Sequence, residues 1–221
     1  AAICCNLPLS AAGSDLPSFA GTRLVSAGIT FPSAIATADG NEDGLADVAA
    51  VGLSSTNIVV LLANGNGTFQ PPVSYGTTAY GFFAATITPL DANHDGKLDL
   101  IAASEGSGSW LLLGNGDGTF QPATEISSSG NGLAAGDFNG DNQPDLVYYD
   151  SYGLTIQTNK GDATFQTSTG ISIVNFKING YIVGPQFLAV KDMNHDGIND
   201  IVTADIGASG GGVSVLLGNG D

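Results

Sequence analysis

Four copies of one acidic nine-residue motif are the residues of this chain best suited to chemistry. The motif reads Asp-x-Asn-x-Asp-x-x-x-Asp, and its copies begin at Asp39, Asp91, Asp137 and Asp192, at intervals of 52, 46 and 55 residues. Carboxylate and amide oxygens that alternate along a short loop are hard ligands of the kind that calcium prefers, and the ligand positions carry no imidazole or thiolate. The motif therefore predicts one calcium site in each copy, about four ions in all.

Positions 1, 3, 5 and 9 of each copy supply side-chain oxygens, and position 7 supplies a backbone carbonyl. The predicted metal ligands are Asp39, Asn41, Asp43, Leu45, Asp47, Asp91, Asn93, Asp95, Lys97, Asp99, Asp137, Asn139, Asp141, Gln143, Asp145, Asp192, Asn194, Asp196, Ile198 and Asp200. Carboxylates about 5 Å apart repel by roughly 3 kcal/mol per pair at an effective dielectric near 20. Because four Ca²⁺ would halve the formal net charge of −16, the clusters favour a bound cation.

Two other kinds of loop share part of this pattern. An EF-hand requires a Glu at position 12 and flanking helices, whereas position 12 here is Ala50, Ala102, Tyr148 or Thr203. Metal-free Asx turns remain the alternative, although a turn does not need acids at both positions 5 and 9. In the third copy Asn142 replaces the Gly of position 6 and Pro144 follows, so we expect this copy to bind less tightly.

The residues around each acidic loop have the alternation and the turn signals of short strands. Residues 32–39 enter the first loop, and residues 47–52, 99–104, 145–150 and 200–205 leave the four loops. A third strand ends at an Asn-Gly or Gly-Asp step, and a fourth begins at Thr-Phe-Gln. No segment shows a helical period with caps. Four strands in about 50 residues predict an all-β protein, a β-propeller of four-stranded blades.

The repeats also predict the organisation of the chain. We expect a leader at 1–17, a closing strand at 18–28, blades at 29–76, 77–130 and 131–180, and a last blade of three strands at 181–221. Residues 18–28 resemble a fourth strand, so pairing of this segment with the last blade would close the ring and remove two unpaired edges. Two alternatives stay open: donation of this strand between chains, which gives an oligomer or filament, and a longer propeller.

Composition excludes two classes of partner. The chain has 221 residues with 21 acidic and 5 basic side chains, and the basic ones are scattered singly as Arg23, Lys97, Lys160, Lys177 and Lys191. Phosphate binding needs clustered Lys and Arg, so we expect no nucleic-acid partner. No apolar stretch approaches the ~18–20 residues of a membrane span.

The adjacent Cys4 and Cys5 are too few for a zinc site. The segment 1–17 that contains them does not have the pattern expected of an intact signal peptide.

The remaining candidates favour structure over catalysis. His94 and His195 occupy position 4 of their loops, where we expect solvated turn residues, and Gly114, Gly116 and Gly118 predict a hairpin rather than a phosphate loop. Aromatic side chains could stack on sugar rings or pack between blades; they are Tyr75, Tyr80, Phe82, Phe83, Trp110, Tyr148, Tyr149 and Tyr152, while Phe69, Phe120 and Phe165 recur as core positions. No nucleophile and base are arranged for catalysis, so we expect no enzyme activity.

The acidic loop, followed by stretches such as LLLGNGDGTFQ, resembles the FG-GAP/VCBS repeats, a family that includes the integrin α-subunit propellers. The resemblance covers about residues 29–221 and implies calcium in the inter-strand loops of an extracellular or cell-surface β-propeller. It implies a binding or adhesion module for a protein or glycan ligand. The alternatives are a subunit of an oligomer, with self-association, and a non-catalytic domain of a larger secreted protein. The chain lacks literal Phe-Gly and Gly-Ala-Pro elements, and the family often has seven blades.

Overall fold

The computed structural model describes residues 24–53, 55–79, 81–82, 85–104, 106–128, 131–150, 153–167, 177–178, 181–182, 187–205 and 212–220. This part of the chain contains β-strands and no α-helix, which confirms the all-β prediction. It follows that none of these residues forms a helix able to cross a membrane. Residues 1–17 with Cys4 and Cys5, as well as Tyr80, Phe83 and Tyr152, lie outside the described residues.

Four antiparallel sheets carry the four sequence repeats, and within each sheet the strands follow one another in chain order. The first sheet has β1 (Pro32–Ala38), β2 (Asp47–Gly52), β3 (Asn57–Leu61) and β4 (Val73–Gly76). The second has β5 (Thr86–Leu90), β6 (Asp99–Ser104), β7 (Gly108–Leu112) and β8 (Thr124–Ser127). The third has β9 (Asn131–Gly136), β10 (Asp145–Asp150), β11 (Gly153–Asn159) and β12 (Phe165–Thr167).

The last sheet has three described strands, β15 (Phe187–Lys191), β16 (Asp200–Asp205) and β17 (Gly212–Leu216). A separate two-stranded sheet, β13 (Lys177–Ile178) with β14 (Tyr181–Ile182), precedes it and spans the predicted boundary between the third and fourth blades. Within the described residues β17 pairs with β16 alone, and residues 24–28 of the predicted closing strand belong to no strand. The predicted closure is therefore not among the described pairings.

The sheets stack face to face, and the core lies between them. Ala49 and Val51 of β2 pack in one cluster with Leu100 and Ala102 of β6, which joins the first two sheets. The alternate residue Ile101 faces the other way, into a second cluster that joins the second and third sheets. A third cluster joins the third and fourth sheets. Because the inner sheets are buried on both faces, their strands read as continuous apolar runs.

The first strands of successive sheets lie side by side. β1 packs near β5, β5 near β9, and β9 near β15, as in the blades of a propeller around an axis. Among the described strands, β15 and β1 do not pack together in this way. The described parts of the four sheets therefore follow one another in a propeller-like arrangement.

Gly114 marks a close approach between the end of the third strand and the preceding loop. A Cβ at this position would lie 2.0 Å from the carbonyl oxygen of Leu98. We expect Gly114→Ala to lower the free energy of unfolding by about 1–3 kcal/mol, the range of an overpacked site. Gly212→Ala is the matched control, because a Cβ there would meet nothing within 4 Å. Urea unfolding of both variants measures the difference, and equal stabilities would contradict this close packing.

Candidate functional site

Each acidic loop joins the first two strands of its sheet, and in the first three sheets a hairpin joins the third strand to the fourth. In an antiparallel sheet these two connections leave from the same end. The hairpin prediction for Gly114–Gly118 is confirmed, since the N–H of Asn115 donates to the carbonyl of Thr119 at 2.9 Å and Gly114 bridges Phe120. Acidic loop and hairpin of one sheet are therefore neighbours.

The carboxylate at position 1 closes each loop on itself. In all four loops it accepts the backbone N–H of position 6, at 2.8 Å for Asp39, 2.9 Å for Asp91, 2.9 Å for Asp137 and 3.0 Å for Asp192. Position 6 has a positive φ in every copy, and Asn142 adopts φ 63° where the other three copies have glycine. Asn tolerates this conformation best after glycine, so the substitution leaves the turn unchanged.

Positions 3 and 5 form two further Asx-type turns in each loop. In the second loop the N–H of Asp95 donates to Oδ1 of Asn93 at 3.1 Å, and the N–H of Lys97 donates to Oδ1 of Asp95 at 2.9 Å. The other three loops repeat both bonds. The position-5 carboxylates are exposed in all four loops. The local sequence thus folds the oxygen-rich side chains around the loop backbone.

The aspartate at position 9 has a role that the sequence did not reveal. Asp99 is fully buried, and its two carboxylate oxygens accept the N–H of Ala92 at 2.9 Å and the N–H of Gly114 at 2.7 Å. Equivalent pairs of bonds are made by Asp47, Asp145 and Asp200. This carboxylate ties the acidic loop to the end of the third strand. The recurrence of an acid as the first residue of an apolar strand was the available signal.

Electrostatics distinguish the loop positions. Burial raises the pKa of Asp99, while the N–H groups of Gly114 and Ala92 oppose that rise. The pKa of Asp145 is raised in the same way. Among the described residues one basic side chain pairs with a loop carboxylate, Lys97 with Asp95 at 3.7 Å, and this pair is too exposed to contribute much. The basic side chains of the described residues therefore do little to neutralise the negative charge of the loops.

The predicted metal ligands are brought together loop by loop, but their carboxylates do not converge. Each described loop holds its oxygens within hydrogen-bonding distance of its own backbone. Within the described parts of the chain no three His, Cys, Asp or Glu side chains are placed to hold a metal ion. The donor set still fits calcium, since every loop presents side-chain oxygens and an exposed carboxylate at position 5.

Neighbouring loops are linked across the sheets. Asp137 donates its N–H to Oδ1 of Asn199 at 2.8 Å and accepts the N–H of Asn199 at 3.0 Å. Asn159 donates through Nδ2 to the carbonyl of Ala92 at 2.7 Å. His94 is exposed, as predicted for a turn residue, and its Nε2 lies 2.8 Å from the carbonyl oxygen of Asn142. The second, third and fourth acidic loops are thus linked in chain order.

The aromatic side chains do not form an exposed binding face in the described residues. Trp110, Phe82 and Tyr148 are buried, and Tyr75 and Tyr149 are partly buried. Phe120 is buried as predicted, in edge contact with Tyr75, whose hydroxyl accepts its N–H at 3.1 Å. Phe69 and Phe165, which share the repeat position of Phe120, are only partly buried. The interpretation as packing between sheets is therefore the better one for these residues.

The fold and the loops define an all-β repeat protein with propeller-like sheets and one acidic loop per repeat. Three overlapping stretches of the chain, residues 39–102, 91–148 and 137–203, match the FG-GAP-like repeat. The chain belongs to the FG-GAP-like repeat family. No curated protein sequence matches it.

The solved structures that are similar to this chain include a lectin and a toxin pore. A lectin of Agrocybe aegerita, described as recognising non-reducing terminal N-acetylglucosamine, is 22% identical with a TM-score of 0.57, over 84% of this chain and 52% of the lectin. The chain therefore spans about half the length of that lectin, and the likeness shows the fold. The Tc holotoxin pore of Photorhabdus luminescens is 15% identical with a TM-score of 0.47, over 77% of this chain and 8% of the toxin chain.

Proposed function

We propose that this protein is an extracellular binding module whose propeller-like sheets are stabilised by calcium. The observation that carries the proposal is the same loop geometry in four repeats, with an exposed position-5 carboxylate in each and few basic residues to neutralise it. Membership of the FG-GAP-like repeat family supports it. The sheets would serve as blades, and the metal would have a structural role in the loops.

Each calcium ion would be held by positions 1, 3, 5, 7 and 9 of its loop. The position-9 carboxylates accept one backbone N–H on each oxygen, and a carboxylate oxygen has a second lone pair. Asp99 and its equivalents can therefore ligate an ion while they hold the third strand. Binding would replace the repulsion among the acids with attraction, and we expect an affinity in the extracellular range, on the order of 10⁻⁴–10⁻³ M.

Calcium should raise the melting temperature of the protein, and EDTA should lower it, because an ion that binds the folded loops stabilises them by mass action. Titration calorimetry should give about four ions per chain, with the third loop weakest because Pro144 stiffens its position 8. Asp95→Asn should remove about one ion. The matched control is Asp117→Asn, which changes an exposed acid of the hairpin outside the acidic loops. A melting temperature that changes with neither calcium nor EDTA would contradict the proposed structural role of the metal.

The ligand of the module is proposed to be a glycan, on the strength of the similar lectin that recognises terminal N-acetylglucosamine. No catalytic function is proposed. A glycan array probed with the calcium-loaded protein tests the ligand class, with the EDTA-treated protein as control. Retention of glycans that end in N-acetylglucosamine, and its loss with EDTA, is the expected result. Absence of any glycan retention by the folded, calcium-loaded protein would leave a protein ligand as the alternative and overturn the glycan assignment.

A further inference from the structure

Asn159, the last residue of β11, is a polar side chain that is buried, with an exposed fraction of 3%. Its backbone N–H donates to the position-9 carboxylate of its own loop at 2.8 Å. The residues that make the same bond in the other three sheets are Ala63, Gly114 and Gly218. Buried polar groups are almost always hydrogen-bonded. The amide of Asn159 therefore makes contacts that the small residues of the other sheets cannot make.

The amide nitrogen of Asn159 contacts two acidic loops at once. Nδ2 donates to the carbonyl of Ala92 in the second loop at 2.7 Å and to the carbonyl of Pro144 in the third loop at 3.3 Å. An amide NH₂ group carries two hydrogens, so one side chain can supply both bonds. The bond to Ala92 is buried. Loss of the donor would therefore leave a buried carbonyl without a partner, which is costly.

Both of these carbonyls belong to residues that lie between predicted metal ligands. Ala92 is position 2 of its loop, between the ligands at positions 1 and 3, and Pro144 is position 8 of its loop, between the ligands at positions 7 and 9. Ala92 also donates its N–H to Asp99, the position-9 ligand of the same loop, at 2.9 Å. A bond that fixes one of these peptides restrains the ligands on either side of it. Hydrogen-bond partners of this kind orient metal ligands without touching the ion.

The carbonyl of position 2 is a contact between sheets in the first pair of sheets as well. There the N–H of Gly118, in the hairpin of the second sheet, donates to the carbonyl of Gly40 in the first loop at 3.0 Å. Between the second and third sheets the donor is the side chain of Asn159 instead of a backbone N–H. A backbone donor survives almost any substitution, whereas a side-chain donor can be removed. The role of this contact can therefore be tested at Asn159.

A second contact joins the same two loops at the surface. Nε2 of His94 lies 2.8 Å from the carbonyl oxygen of Asn142, and both residues are exposed. Water competes for both partners of an exposed hydrogen bond, so its net contribution is small. Asn159 is buried, and its bond to Ala92 has no such competition. The stronger restraint between the second and third loops is therefore the one that Asn159 supplies.

We propose that Asn159 is a positioning residue shared by the calcium sites of the second and third loops. The inference rests on the proposed calcium binding and deepens it, because it assigns the geometry of two sites to one side chain outside the acidic motif. Asn159 holds the peptides of Ala92 and Pro144, and through them the ligands of both loops. Substitution of a ligand should remove one ion, whereas substitution of Asn159 should weaken two.

Two variants of the whole chain, each with two intact loops, test this assignment. Asp43→Asn with Asp196→Asn leaves the second and third loops, and Asp95→Asn with Asp141→Asn leaves the first and fourth. Calcium titration calorimetry should give about two ions for each. Adding Asn159→Ala to the first variant should weaken both ions about tenfold, the lower end of the range for residues that orient metal ligands. Adding it to the second should change neither ion, which separates positioning from a general loss of stability.

The matched control is Asn115→Ala, which removes an exposed hairpin asparagine whose Nδ2 bonds within its own hairpin, to Oγ1 of Thr119 at 2.9 Å. This variant should leave both ions unchanged. Asn159→Gly, which introduces the residue of the second and fourth sheets, replaces Asn159→Ala if circular dichroism in EDTA shows that the alanine variant is not folded.

Three results would overturn the shared role while calcium binding itself stands. They are an unchanged affinity of the second and third loops after the Asn159 substitution, weakening of one of their two ions alone, and equal weakening of the first and fourth loops. If neither two-loop variant nor the wild type binds calcium, the proposed function fails and this inference fails with it.

Discussion

Asp99→Ala should lower the free energy of unfolding by about 2–6 kcal/mol, since it leaves two buried backbone N–H groups without an acceptor at about 1–3 kcal/mol each. Those groups belong to Ala92 and Gly114, which bond to the two oxygens of a fully buried carboxylate. Asp99→Asn should cost less, because one oxygen remains to accept. Urea unfolding in EDTA gives the comparison without any contribution from calcium.

The matched control for this effect lies in the same loop. Asp95 is exposed and accepts the N–H of Lys97, which is also open to water. Asp95→Ala should therefore change stability in EDTA by less than about 1 kcal/mol, while it removes calcium binding from that loop when calcium is present. If the two alanine variants lost equal stability in EDTA, the distinction between an anchoring position 9 and an ion-binding position 5 would be wrong.

Phe82→Ala should lower the free energy of unfolding by about 3–5 kcal/mol, the range for loss of a buried aromatic side chain. Phe82 is fully buried between the first two sheets, and its ring meets Trp110 edge to face, with centroids 5.5 Å apart and planes at 74°. Its carbonyl oxygen accepts the hydroxyl of Ser33 at 2.8 Å. The residue lies on the segment that links β4 to β5, so its removal should loosen the contact between the two sheets.

Phe31→Ala provides the comparison for Phe82. Phe31 is 70% exposed and precedes β1, so its loss should change stability by about 0.5 kcal/mol or less. Urea unfolding of both variants, with the slope of the transition monitored for a change in cooperativity, checks the difference. Equal losses for Phe31 and Phe82 would contradict the position of the core between the first two sheets.

Local sequence was sufficient to predict the loops and the strands. The acidic motif encodes Asx-type turns whose donors and acceptors are separated by five residues or fewer, as in the bond from Gly96 to Asp91. The positive φ at Asn142 follows from the same local pattern. The four-strand repeat could likewise be predicted from the sequence, because short apolar runs and Gly-rich hairpins recur at similar distances from the acidic loops. Hydrogen bonds and turns of this range depend on neighbours along the chain.

Contacts between distant residues decided the rest. The double hydrogen bond of Asp99 joins residues 7 and 15 positions away, and the burial of Phe82 and Trp110 depends on two sheets that the sequence could not orient. The burial of Val60 has the same origin: it is 5% exposed because it packs in the cluster between the first two sheets, whereas Val215, which begins the corresponding stretch VLLGNG, is 50% exposed. Burial is a property of how sheets meet, whereas the pattern along one strand is the same on a covered face and on an open one.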